Sequence, residues 1–131
     1  MKAATISVFA AALLSAAAGL ASALPPNHWG GVFGGDWRTN EGEMNIQQDG
    51  SRISGSYSKR GGRIEGRVQG ANASGVWAQH SFDRPCFREL LGSYHWGRFE
   101  WRLSDSGRHF SGRWSYCDSG MSRSWTGDRW D

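Results

Sequence analysis

The sequence predicts an all-β domain: a single antiparallel up-and-down meander of eight strands, closed into a barrel. Three observations carry that expectation. A five-residue pattern recurs six times: a bulky or long residue (Ala once) at each end, glycine in the middle and the two-residue period of a strand throughout. The segments between copies are short and supply the Gly, Asn and Asp that tight hairpin turns require. The composition pairs 19 Gly with 8 Trp in 131 residues. Interior glycine costs a helix about 1 kcal/mol relative to Ala, and no three-residue glycine period marks collagen.

Residues 1–23 have the form of a signal peptide. Lys2 supplies a positive start, 3–20 is an apolar run, and Ala21-Ser22-Ala23 is an A-x-A cleavage site. A run of this length also raises an uncleaved anchor as the alternative. Cleavage after Ala23 implies a periplasmic or secreted product with no membrane insertion. It leaves 108 residues, enough for one small domain. That remainder divides into an N-terminal tail, 24–32, and a barrel domain, 33–131.

The strands follow in order. The glycine pattern gives strand one at Phe33-Gly-Gly35-Asp-Trp37, three at Ile53-Ser-Gly55-Ser-Tyr57, four at Ile64-Glu-Gly66-Arg-Val68 and five at Ala73-Ser-Gly75-Val-Trp77. Strands seven and eight are Phe110-Ser-Gly112-Arg-Trp114 and Trp125-Thr-Gly127-Asp-Arg129. Met44-Asn-Ile46-Gln-Gln48 and Phe99-Glu-Trp101-Arg-Leu103 alternate without the glycine and fill places two and six. Skipped positions are mostly Arg, Glu, Ser, Thr and Asp, so one face is dry and the other wet. The dry face holds Phe33, Trp37, Met44, Ile46, Ile53, Tyr57, Ile64, Val68, Trp77, Phe99, Trp101, Leu103, Phe110, Trp114 and Trp125. Eight short one-sided strands in an open meander would leave two edges unpaired, and closure removes both. An open meander that dimerises through its edges is the alternative.

Inward glycines permit two interiors. Either Trp rings cover the glycine backbones and the core is solid, or the missing side chains leave a slot for a ligand. The one long connection, 81–94, lies between strands five and six and carries Phe82, Phe87, Leu90, Leu91 and Tyr94. It reads as either a cap on the core or a lid over a site. Cys86 and Cys117 form an even pair in an exported chain, so a disulfide is expected. In an up-and-down barrel it would join the 5–6 and 7–8 connections at one mouth. The alternative is a nucleophilic Cys86 served by His80 or His95.

Beyond the leader, 13 Arg and Lys59 face 12 Asp and Glu. The signs alternate along strand faces, as in 63–67 and 98–102, which suits a solvated charge ladder and not nucleic acid. The four His lack zinc-protease spacing, and no nucleophile elbow or phosphate loop occurs. His80 with Asp83 and Glu89 is the one loop set that could hold a metal. No cofactor, metal site or catalytic residue is expected, and the chain reads as non-enzymatic.

The motifs Gly35-Asp-Trp37, Ser54-Gly55-Ser56-Tyr57, Gly97-Arg-Phe99-Glu-Trp101 and Phe110-Ser-Gly112-Arg-Trp114 together resemble the avidin/streptavidin family over about residues 33–130. The G-x-W on strand one is also similar to lipocalins. The avidin resemblance implies an eight-stranded barrel that binds biotin at the mouth made by the odd-to-even loops. It would place the hydrophobic box on Trp101, Phe110 and Trp125, and the ureido-oxygen donors on Thr39, Glu43 and Tyr57. Only Tyr57 matches the family's usual residue there. A Glu43 carboxylate would repel a carbonyl oxygen unless protonated, and Lys59 falls near the position of a loop serine.

The resulting expectation is a small flat or apolar ligand, not tightly held biotin, at a mouth lined by Thr39, Glu43, Tyr57, Trp77, Trp101, Phe110 and Trp125. The competing expectation is a solid-core barrel that acts through its surface as a structural, interaction or inhibitor protein. Charged outward positions such as Arg63, Glu65 and Arg113 favour a monomer or weak oligomer.

Overall fold

The structure is a computed structural model that describes residues 32–131. The expected signal peptide, 1–23, and all of the 24–32 tail except Val32 lie outside the described residues. Eight antiparallel strands close into one barrel in simple sequence order. They are β1 (Gly35–Thr39), β2 (Gly42–Asp49), β3 (Arg52–Tyr57), β4 (Gly62–Gln69), β5 (Asn72–Gln79), β6 (His95–Leu103), β7 (His109–Trp114) and β8 (Arg123–Arg129). Closure runs through three pairs between β1 and β8: Trp37 with Arg129, Arg38 with Asp128 and Thr39 with Gly127. The sequence reading of an all-β closed meander is therefore what the chain adopts.

Alternation sets the packing. Every residue expected on the dry face is buried except Val68, which is partly buried, and Ala73 joins them. Glycine is required where neighbouring backbones come closest. Gly66 and Gly75 face each other across β4 and β5, and a Cβ on Gly75 would collide with the Glu65 carbonyl oxygen and Gly66 Cα. The Phe99 ring covers Gly66 from inside. Aromatic rings therefore occupy the volume the glycines vacate, and the interior is solid. Trp101 sits between Phe99 at 4.3 Å and Phe110 at 4.4 Å, with Trp125 edge-on at 5.1 Å. Such pairs add about 0.5–1.5 kcal/mol each beyond their buried area.

One boundary differs from expectation. Phe33 precedes the first strand, which begins only at Gly35, where φ is +127°. That left-handed turn tips the fully buried Phe33 into the end of the barrel, against Trp101 and Phe110. Trp37 Nε1 donates to the Phe33 carbonyl at 2.9 Å. Arg129 lies 4.3 Å over the Trp37 ring and donates to the carbonyl oxygens of Val32 and Gly34. Partial burial holds the Arg129 guanidinium below its ordinary range, and the nearby Asp131 works against that shift. This end, where Val32 and the C-terminal Asp131 lie, is plugged.

Candidate functional site: the stapled mouth

The connections β1–β2, β3–β4, β5–β6 and β7–β8 all lie at the opposite end. The two long ones are joined by a Cys86–Cys117 disulfide with Cα atoms 5.6 Å apart, within the 4.4–6.8 Å usual for a bridge. Closing a 31-residue span stabilises by about 3–4 kcal/mol in the chain-entropy model. Both cysteines are consumed, so a free Cys86 nucleophile is absent.

The residues expected to line a ligand site divide into three groups. Tyr57, Trp77 and Trp125 meet just inside the mouth with Glu41, Gln79 and Trp114. Trp101 and Phe110 lie deeper, stacked as core. Thr39 and Glu43 do not join either group. The Thr39 hydroxyl is committed to its own turn: it donates to the Gly42 carbonyl at 2.6 Å and accepts from the Glu41 amide at 3.0 Å. Glu43 is exposed on the outer face, because it alternates with the inward Met44. The carboxylate at the rim is Glu41, paired with Lys59 at 3.0 Å. The donor trio implied by the avidin resemblance is therefore not assembled.

The space left between these mouth residues is about 10 Å³, room for one water at most. Its walls are nonetheless polar in a specific way. Gln79 is 4% exposed and donates Nε2 to the Tyr57 hydroxyl at 2.9 Å. Gln79 Oε1 and the indole N–H groups of Trp114 and Trp125 have no partner. Each unpaired buried group costs about 1–3 kcal/mol. Burial holds the Tyr57 hydroxyl protonated well above the ordinary phenol range, against the opposing pull of its bond from Gln79. Over the cluster lies Phe82, edge-on to Trp77 at 5.7 Å and 4.6 Å from Tyr116.

The rest of the long connection does not cover the mouth. It turns back along the outer wall, where it buries Trp96, an outward residue of β6 that is only 1% exposed. Ala78, Cys86, Leu90, Leu91 and Tyr116 pack around that ring, and its Nε1 donates to the Arg88 carbonyl at 2.8 Å. Cap and buttress are thus separate parts: Phe82 caps the mouth, while 84–94 braces the wall. Leu91 and Gly92 take successive positive φ values of 51° and 74°, so the segment reverses in a tight hairpin closed by Leu90 and Ser93.

The outcome is a rigid crest. The Cys86 amide donates to the Tyr94 carbonyl at 2.7 Å, and Arg63 donates to the Leu91 carbonyl. Asp118 accepts from Arg88 at 2.9 Å and from Arg98 at 3.2 Å. The hydrogen bond from Arg88, more than that from Arg98, holds its carboxyl below the usual range. Phe87 stands on this crest at 107% relative exposure. Beside it runs a groove of about 660 Å³ lined by Arg84, Pro85, the disulfide, Trp96 and Tyr116. A hollow of about 630 Å³ on the outer wall is lined mainly by solvated side chains such as Gln47, Arg52 and Arg67, with no exposed aromatic.

No family model matches this chain, and no curated protein or solved structure is significantly similar to it. What the avidin resemblance shares with the structure is the small eight-stranded antiparallel barrel.

Three site residues escaped the sequence reading. Trp96 falls on the wet parity of its strand, yet a bulky aromatic there, next to a long connection, signals a second small core. Gln79 lies just past its five-residue motif on the same strand, where alternation still aims it inward, whereas Glu41 sits in the β1–β2 turn, where alternation gives no direction. Among the described residues no group of three His, Cys, Asp or Glu could hold a metal, and His80, Asp83 and Glu89 form no such cluster.

Proposed function

We propose that this protein is an exported, non-enzymatic recognition barrel that binds a protein partner through the disulfide-stapled crest at 84–88. The carrying observation is Phe87, fully exposed on a segment held by the disulfide, the Trp96 core and the Asp118 ion pairs. An exposed aromatic on a pre-ordered support is the form of an interface anchor, because little further entropy is lost on binding. Arg84 and Arg88 flank it, which suits an apolar pocket with an acidic rim. Deeper than the mouth the barrel offers a ligand no room, since rings fill the interior.

Affinity capture tests the reading with the oxidised mature protein and its Phe87→Ala variant as paired baits. The expected result is a partner held by the parent and weakened at least tenfold in the variant, with an unchanged melting temperature. A truncated hot-spot residue removes about 2 kcal/mol or more, and 1.4 kcal/mol is tenfold. Equal binding by both baits would overturn it.

A further inference from the structure

The mouth holds a second, independent feature that the crest does not explain. Two donors, the indole N–H groups of Trp114 and Trp125, and one acceptor, Gln79 Oε1, are buried without partners, and all three residues line the same small cavity. The Tyr57 hydroxyl accepts from Gln79 Nε2 and keeps its own proton free to donate. A hydroxyl group complements this set, accepting from an indole N–H and donating to the amide oxygen.

Next to the cavity is an open groove of about 270 Å³ lined by Phe82, Asp83, Trp114, Tyr116, Ser122 and Arg123. Trp114 is a wall of both spaces. Phe82 lies against Trp77, Trp114 and Tyr116. It is held by these rings and by the Arg60 guanidinium, 5.8 Å from its centroid, and its backbone makes no hydrogen bond among the described residues. Its benzene ring occupies the place a flat ligand would take.

We propose that the mouth is a binding site for a small hydroxylated ring. Phe82 swings outward, the ligand's ring replaces it against Trp77, Trp114 and Tyr116, and the hydroxyl enters the polar cavity. Cavity and groove then form one site. The donors and acceptor select for the hydroxyl, because an apolar ring of the same size leaves them unpaired.

Phenol is the probe and benzene its control, titrated into ¹⁵N-labelled, oxidised mature protein while the indole N–H signals are followed. Saturable shifts are expected at Trp114 and Trp125. No shift is expected at Trp37 or Trp96, whose indoles already donate to the Phe33 and Arg88 carbonyls. Phenol should bind at least tenfold more tightly than benzene. Phe82→Ala should strengthen phenol binding at least tenfold, and Gln79→Leu, which removes the acceptor and leaves the indole donors, should weaken the preference for phenol. The proposal is overturned if both signals stay fixed in the parent and in folded Phe82→Ala, which would leave water as the cavity's occupant. Equal binding of benzene and phenol would overturn it too.

Discussion

Phe87 and Trp96 lie nine positions apart, and their environments are opposite. Trp96 is buried between strand and connection, so Trp96→Ala should cost about 3–5 kcal/mol, as large aromatic truncations do. Phe87→Ala should move stability by less than about 0.5 kcal/mol. Denaturant unfolding measures both changes, and a large loss at Phe87 would show that it packs against the fold. Gly112 is a third diagnostic position, because a Cβ there would meet the Glu100 carbonyl oxygen and Trp101 Cα, which are backbone atoms. Gly112→Ala is expected to destabilise by about 1–3 kcal/mol, the usual range for overpacking.

Tyr57 predicts an alkaline effect. Its folded pKa is raised, so the folded state keeps a proton that the unfolded chain gives up from about pH 10 upward. Stability is therefore unaffected by this group below pH 10 and falls as pH rises beyond it. Replacing Tyr57 with Phe should flatten that fall.

Inward residues such as Trp101 and Tyr57 were legible because period-two alternation needs no knowledge of neighbours. Phe82 and Phe87 were not separable, since nothing local says which ring of a connection caps the mouth and which is presented to solvent. Carry-over by resemblance chose Glu43, whereas alternation with Met44 turns that side chain outward and leaves Glu41 at the rim.

At the scale of elements, the connection 80–94 is two devices in series. Phe82 closes the mouth, and 84–94 forms a buttressed crest on β5 and β6. The staple has a measurable consequence. Reducing Cys86–Cys117 should lower stability by about 3–4 kcal/mol. Under native conditions it should also speed amide exchange at Cys86, Leu90 and Ser93, which are hydrogen-bonded within or across the segment. The strands of the barrel should keep their protection. Uniform loss across strands and crest would show that the staple supports the whole fold.

Asp118 ties the two connections from the other side. Its pKa is lowered in the folded state, so that tie is present above about pH 3.8 and is lost as pH falls below it. The pairing of Cys86 with Cys117 was readable from the expected leader and the even number. The path of the crest was not, because it depends on an outward Trp seeking cover.

As a whole, residues 32–131 form a barrel closed on its sides and stopped at both ends. Phe33 and Arg129 stop one end, and Phe82 with the Tyr57–Gln79 pair stops the other. Closure was legible from topology, since eight one-sided strands joined by short turns would otherwise leave two edges unpaired. The state of the interior was not legible, because glycine spacing allows either a slot or rings folded over bare backbone. Packing resolved it in favour of rings, which fill the barrel's inside, while the proposed protein contact lies on the stapled outer crest.

That claim is tested most directly by site-specific photocrosslinking in producing cells, with benzoylphenylalanine at position 87 and, separately, at Ser54 and Arg102 on remote walls. One discrete protein adduct is expected from position 87, absent at the other two positions and lost when the crest is released by Cys86→Ser with Cys117→Ser. Adducts of equal yield from all three positions, or none from position 87, would contradict it.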